Sequence, residues 1–454
     1  MAVLKLFPTD YTLALLLLAL FLYLVVSLIR WGIPRNFPPG PTPLPLIGNL
    51  HQLDLKKLGW SLTGLAEKYG SVFSVEFGPS KAVVLTGYDA VKDALVNHAD
   101  QFSGRPHLPI FDTVSFQSGV IFSNGKLWRE NRKFVISALR GFGMGKKSVE
   151  DRISEEASFL VNVFESHKGQ PFETAQIMYL ALYNFYPTLG FLIPSRRKII
   201  QNFVKVHEIF EGFFKAAKET LSENSIQTLS EALILRHQQE LGGEDLESKK
   251  KDIVVTITDL FTAGTETTST TLCWGLLLMV NHPEIQRKVQ DEIDRVIGAG
   301  RFPRTEDQRH MPYTEAVIHE IQRFANIVPI LPHSTTEDTH FRGYFLPKGT
   351  YVIPLLTSVL YDKTQWEKPH QFNPAHFLDT DGNFVKRDAF MPFSAGRRVC
   401  AGEALAKVEL FLFFTTLLQK FHFQAPPGMT DLDISPRTDL VSNPKPHRVC
   451  AVSR

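Results

Sequence analysis

Three cysteines in 454 residues, Cys273, Cys400 and Cys450, leave no material for a disulfide framework. So few and so widely spaced, they place the body of the chain in a reducing compartment. Charge of one sign is equally scarce: 49 Lys and Arg stand against 47 Asp and Glu, a formal net charge of +2. No run of Lys and Arg interleaves with aromatics, so nucleic acid is not an expected partner. Internal repeats are absent. A nucleotide loop is missing too, because Gly141-Phe-Gly143-Met-Gly145-Lys146-Lys147 lacks the Walker spacing and a Ser or Thr after the lysine. What is plentiful is apolar: 44% of residues are hydrophobic and 35 are Phe, enough for a large core or for a pocket that takes bulky apolar material.

The longest apolar run, Leu13 to Ile29, carries no charge and only Tyr23 and Ser27 as polar residues. Seventeen helical residues span about 26 Å, near the lower limit for a bilayer core. A cleaved secretory signal would end in small residues, whereas this run ends in Ile29-Arg30-Trp31, so an uncleaved anchor is expected over 1–29. Arg30 and Arg35 follow the run while Asp10 offsets Lys5 before it, which leaves the body cytosolic. Residues 30–45 include Pro34, Pro38, Pro39, Pro41, Pro43 and Pro45 and read as a stiff, extended connector. The main domain then runs from 46 to 454.

Ser71–Thr86 has strand character in two pieces, SVFSVEF and KAVVLT, parted by Gly78-Pro79. A second small β-rich stretch lies at Thr339–Val352. Apolar residues at three- and four-residue spacing predict helices at Asp151–Glu165, Asp252–Val280, Pro283–Ile297, Tyr313–Phe324 and Glu403–Phe421. The charged run Gly242–Asp252 reads as a solvated loop. Helix dominates, with small sheets.

The chemistry centres on Phe393-Ser-Ala-Gly396-Arg-Arg398-Val-Cys400-Ala-Gly402. A lone Cys is usually a small buried hydrophobe. This one sits in a glycine-flanked turn just before a long helix, where the positive helix end and backbone N–H groups favour a thiolate. Gly396 and Gly402 allow a tight turn and the approach of a flat ligand. With no Cys or His partners it fits no tetrahedral zinc site. Iron in a macrocycle needs such a single axial ligand.

The segment resembles the haem-binding signature of the cytochrome P-450 superfamily, F-x-x-G-x-R-x-C-x-G, with every fixed position filled. Further motifs follow in the family's order, and the whole chain is most similar to vertebrate microsomal enzymes of family two. The resemblance implies a mainly α fold with small β-sheets, preceded by one transmembrane helix, with Cys400 as the iron ligand of haem b. Ala263-Gly264-Thr265-Glu266-Thr267 matches the family's distal helix, which makes Thr267 and Glu266 the expected proton-handling pair. By itself Thr267 would be read as a hydroxyl bonded back to the carbonyl of Ala263. Arg105, Trp128, Arg132, His333 and Arg398 fill positions that resemble propionate contacts, and Phe393 and Gly396 shape the cysteine turn. Glu320 and Arg323 match the structural E-x-x-R, although His376 stands where many members have Arg.

For function the resemblance implies a monooxygenase that inserts one atom of dioxygen into a lipophilic fatty acid, steroid or xenobiotic. Its electrons would come from NADPH through cytochrome P-450 reductase, with cytochrome b5 as a further partner and the endoplasmic reticulum membrane as its place. Arg129, Lys133 and Arg397 would offer the partner a basic face. Val114, Phe116, Phe122, Val328, Ile330 and Leu331 would line the pocket. One departure stands out: near 173–183 the chain lacks several dozen residues that the family uses for a core helix and part of the pocket roof. Two other readings therefore stay open, a non-catalytic membrane protein and a reductase-independent isomerase or dehydratase of the same superfamily.

Overall fold

The computed structural model of the chain describes residues 13–21, 23, 36–107, 118–144, 147–166, 168–173, 208–222, 226, 228–241, 247–437 and 441–454. Their helices, in chain order, are α1 (Leu58–Tyr69), α2 (Tyr88–Lys92), α3 (Gly125–Gly141), α4 (Lys147–Ser166), α5 (Leu229–Leu241), α6 (Glu247–Asn281), α7 (Pro283–Val296), α8 (Pro312–Ala325), α9 (Leu356–Leu360) and α10 (Glu403–Lys420). Residues 13–21 and 208–220 are helical as well. Proline sets two of the boundaries. Pro283 and Pro312 stand in the first turn of α7 and α8, where a missing N–H costs nothing. Asn326, in the left-handed region at φ 41°, closes α8.

Among the described residues, three sheets complete the fold. In the largest, strand order is β1-β2-β7-β4, with β1 (Val72–Phe77) antiparallel to β2 (Ser80–Leu85) and β2 parallel to β7 (Tyr351–Pro354). Phe77 pairs with Ser80 across Gly78-Pro79, the turn that the sequence marks. β4 (His333–Ser334) lies antiparallel on β7 and so ties the His333 segment to this sheet. β3 (Phe172–Glu173) and β8 (Phe421–Gln424) flank β9 (Arg448–Ser453), and β5 (Thr339–Phe341) pairs with β6 (Tyr344–Leu346).

The main core joins the second half of α6 with α7, α8, α10, β8 and β9, through buried Leu277, Val289, Ile321, Phe414 and Phe421 among others. At Gly275, where α6 passes α8 and α10, a β-carbon would stand 3.3 Å from both Ile321 and Phe414, so the missing side chain sets how closely these helices pack. A second core lies under the β1-β2-β7-β4 sheet around Phe102, Phe341, Trp366 and Phe377.

The helices expected from periodicity lie inside α4, α6 and α8 and overrun α7 and α10 by one residue each, at Ile297 and at Phe421, which opens β8. The charged run Gly242–Asp252 requires a correction. α6 begins at Glu247, so the end of that run is helix rather than loop, and Lys250 pairs with Glu211 at 3.0 Å. From Asn36 onward the proline-rich stretch lies against β1: Ser74 donates from its backbone N to Pro39 O at 2.7 Å and from Oγ to Pro38 O at 2.9 Å. Of the expected anchor, residues 13–21 are helical and exposed. Among the described residues no helix is long and apolar enough to cross a membrane. The gap near 173–183 falls outside the described residues, apart from Glu173, and so do Val114 and Phe116.

Candidate functional site

Cys400 stands between a short turn, Gly396–Arg398, and the start of α10. Its backbone N donates to Phe393 O at 3.0 Å, closing the loop. Gly396 sits at φ 71°, and a β-carbon there would lie 1.6 Å from Leu95 O. The glycine is therefore dictated by protein backbone behind the loop, not by a flat ligand in front of it. Cys400 itself is exposed on one side. Burial of the sulfur's other surroundings raises the thiol pKa, and the Glu403 carboxylate adds to this. Backbone N–H groups of Gly402 and Glu403 and the Arg132 cation pull it down by less. The helix start thus helps the thiolate but does not by itself produce one. A bound metal deprotonates a coordinating thiol outright, so the site suits a metal-held sulfur rather than a free nucleophile.

Beside the loop, three arginines converge. Arg105 donates to Pro332 O at 2.7 Å and Ile121 O at 3.1 Å. Arg398 donates to Ser103 O and Ser123 O, both at 2.7 Å, and its guanidinium stacks 3.8 Å over the Trp128 ring. Arg132, four residues after Trp128 on the same face of α3, donates to Val399 O. Burial first, then mutual repulsion, lowers the pKa of Arg105 to about 9 and of Arg398 to about 8. Asn124 fixes the segment, accepting from Arg105 N at 2.7 Å and donating to Arg105 O at 2.9 Å.

Two buried polar atoms here have no partner, Trp128 Nε1 and His333 Nε2. Buried donors and acceptors are nearly always satisfied, so two orphans beside three cations mark a place for an anionic group. His333 Nδ1 donates to Phe102 O at 2.7 Å, which leaves Nε2 as a lone pair in the neutral ring. Burial, with Arg105 and Arg398 nearby, keeps this ring well below its ordinary pKa. A carboxylate beside Nε2 would reverse that balance and let it donate. The donor set therefore fits an anionic group such as a carboxylate.

On α6, Thr267 Oγ1 donates to Ala263 O at 2.6 Å, the back-bond expected for the residue on its own. Glu266 and Thr267 are half-buried, and residues 261–265 are exposed. Earlier on this helix lies a pair that sequence reasoning missed. Asp259 accepts from Val120 N at 2.8 Å and Ile121 N at 2.9 Å, and Asp252 accepts from Gly119 N at 2.9 Å. Together they hold the turn whose Ile121 and Ser123 carbonyls receive Arg105 and Arg398. Burial drives Asp259 up to about 7 against the pull of its two backbone donors. The available signal was the spacing: acids seven apart on an apolar helix share a face. Asn124 gave no such signal.

Glu320 and Arg323 are fully buried and bonded twice, each bond 2.7 Å. Arg323 also donates to the carbonyls of Leu360, Pro369 and Gln371. His376 takes the remaining place, with Nδ1 3.2 Å from the Glu320 carboxylate while Lys368 N donates to Nε2 at 3.3 Å. The ring thus does with one nitrogen what an arginine would do with two. Phe122, Val328, Ile330 and Leu331 are each half-buried, and Ile330 packs on the core of the β1-β2-β7-β4 sheet. The basic face needs a correction: Arg397 is committed to Asp100 in two bonds of 2.8 and 3.1 Å, while Arg129 and Lys133 are exposed.

A helical fold, one cysteine at a helix start and a cationic cradle beside it are what a haem-thiolate protein requires. The family model for cytochrome P450 matches residues 38–186 and 177–451, and the chain belongs to that family. It is 47% identical to cytochrome P450 2K1 of Oncorhynchus mykiss over 463 positions, covering 92% of each chain. It is also 45% identical to cytochrome P450 2K6 of Danio rerio, covering 98% of this chain and 97% of that one. Against cytochrome P450 2C8 of Homo sapiens the identity is 41%, covering 96% and 98%. The chain is a haem-dependent monooxygenase, using haem b with electrons from NADPH by way of a reductase. About 418 of its residues, the matched 92%, are spread over 463 positions of the first alignment, so roughly 45 positions have no residue here.

Proposed function

We propose that the chain is a membrane-anchored monooxygenase of the endoplasmic reticulum, facing the cytosol, which oxidises a lipophilic fatty acid, steroid or xenobiotic with Cys400 as iron ligand. Electrons reach it from cytochrome P-450 reductase, with cytochrome b5 as an auxiliary donor. The observation that carries this reading is the cradle: a sulfur open on one side, next to buried Trp128 Nε1 and His333 Nε2 that lack protein partners.

Haem b, when bound, supplies the reductive activation of dioxygen and the transfer of one oxygen atom to a C–H bond. The chain's own groups supply the rest. Cys400 binds the metal through Sγ. Arg105, Trp128, Arg132, His333 and Arg398 would hold the carboxylates, the arginines chiefly through their charge because the Arg105 and Arg398 forks already donate to backbone carbonyls. Thr267 Oγ1 donates to Ala263 O, so its lone pairs are free to accept from water, and it releases its proton only by leaving that carbonyl. Glu266 replaces that proton from the solvent side. Phe122, Val328, Ile330 and Leu331 present apolar surface to the substrate and exclude water.

The deciding experiment is the carbon monoxide difference spectrum of the reduced, detergent-solubilised protein. A strongly red-shifted Soret band is expected, and Cys400→Ala should abolish it. One observation favours a second reading, a non-catalytic form. The family model matches in two stretches that meet at 177–186, so we place the roughly 45 missing positions there, where the family carries pocket roof. Absence of haem, or a band typical of a neutral ligand, would put this second reading first.

A further inference from the structure

Among the ionisable groups left without a task above, half-buried Glu409 joins α10 to α6. It lies on α10 nine residues after Cys400, and Thr268 Oγ1 of α6 donates to its Oε2 at 3.2 Å. The neighbouring hydroxyls are spent within α6: Thr267 on Ala263 O, Ser269 on Thr265 O and Thr271 on Thr267 O. Thr268 instead reaches across to the helix that starts at the cysteine turn.

The reach matters because of what surrounds it. Residues 262–265 of α6 are exposed, and Phe261 before them meets the Phe210 ring at 5.2 Å, a contact that does not involve α10. Ahead of this stretch, Asp252 and Asp259 hold the helix to Gly119–Ile121. Behind it, Thr270 donates to Asn443 Oδ1 at 2.7 Å and Trp274 Nε1 to Ser442 O at 2.7 Å. The Thr268–Glu409 bond is the first fastening after the open stretch, one residue from Thr267. Of these fastenings it alone leads to α10.

We propose that Glu409 is a positioning residue which, through Thr268, fixes the height of Thr267 over the Cys400 turn. The proposal rests on the reading of Thr267 and Cys400 given above. Burial raises the Glu409 pKa and the Thr268 bond lowers it by less, so the carboxyl is not held by a cation. Among the described residues its hydrogen-bond partner is Thr268 of α6, which is what a spacer between two helices requires.

The test uses the full-length, haem-loaded chain and three variants, Glu409→Gln, Glu409→Leu and Thr268→Val. The readouts are the infrared C–O stretch of the ferrous carbon monoxide complex, which senses hydroxyls over the ligand, and peroxide released per NADPH consumed. Glu409→Gln keeps an acceptor oxygen and should match the parent. Glu409→Leu and Thr268→Val should both shift and broaden the C–O band and raise peroxide release several-fold, with the thiolate Soret band intact. Should Glu409→Leu lose haem, the nearly isosteric Thr268→Val decides by itself. Parent-like spectra in Thr268→Val, or a Glu409→Gln protein that behaves like Glu409→Leu, would overturn the proposal. A parent protein without the thiolate band would instead overturn the reading on which it rests.

Discussion

Gly396 has a left-handed backbone at φ 71° and faces the Leu95 carbonyl, where a β-carbon would be 1.6 Å away. Gly396→Ala therefore adds both strain and a clash, and the cysteine turn must move. A loss of roughly 3 kcal/mol or more is expected, seen as a lower thermal midpoint and a smaller carbon monoxide band. Asp259 gives a pH signature instead. Its pKa, about 7 when folded, lies above the ordinary carboxylate value of 3.8. Between those values the folded chain keeps a proton that the unfolded chain has lost, so stability falls as pH rises from about 4 to 7, by at most ~4 kcal/mol. Asp259→Asn should flatten that slope in urea unfolding measured from pH 4.5 to 7.5. At this scale the sequence was informative where chemistry is rare, as at Cys400 in its glycine-flanked turn. It was silent where backbone does the holding. Nothing in Ile121 or Ser123 as residue types says that their carbonyls will receive Arg105 and Arg398.

Among the elements, α8 carries the tightest polar cluster. Arg323 is fully enclosed, bonded to Glu320 and to three carbonyls, with its guanidinium 5.4 Å from the Tyr361 ring and 5.3 Å from the Trp366 ring. Arg323→Met would leave the Glu320 carboxylate buried without its cation. A cost of about 3–5 kcal/mol is expected, enough to abolish soluble haem-loaded protein on expression. Periodicity located α6, α7, α8 and α10 because each buries a continuous apolar face. It stopped short at Asp252 in α6, since the first turn of that helix is charged and lies beside Glu211 rather than on the core. The strands β8 and β9 were not foreseen. β8 has four residues and follows α10 without a break, so the apolar helix masks its alternation, while β9 is one isolated apolar stretch, Val449–Val452, behind Pro444 and Pro446.

For the whole molecule, charge near the cysteine turn has an electrical consequence. Arg397 is neutralised by Asp100, which leaves Arg129 and Lys133 exposed on α3 as the cations we propose for docking an acidic redox partner. Lys133→Glu should slow reduction by the reductase at low salt, by roughly three- to tenfold, and the difference should vanish at high ionic strength. Stopped-flow reduction under carbon monoxide measures it, and equal rates at low salt would remove this face from consideration. The family and fold were legible in the signature around Cys400. The consequence of the missing stretch was not, because length alone says nothing about which helices can be spared.

β9 also bears on timing. Glu173 in β3 pairs with Arg448 in β9, 275 residues further along. At about 5–20 residues per second of synthesis, β3 waits on the order of 15–60 s for its neighbour. Pairing in this sheet is therefore a late step, set by the long stretch of chain between its strands rather than by local propensity.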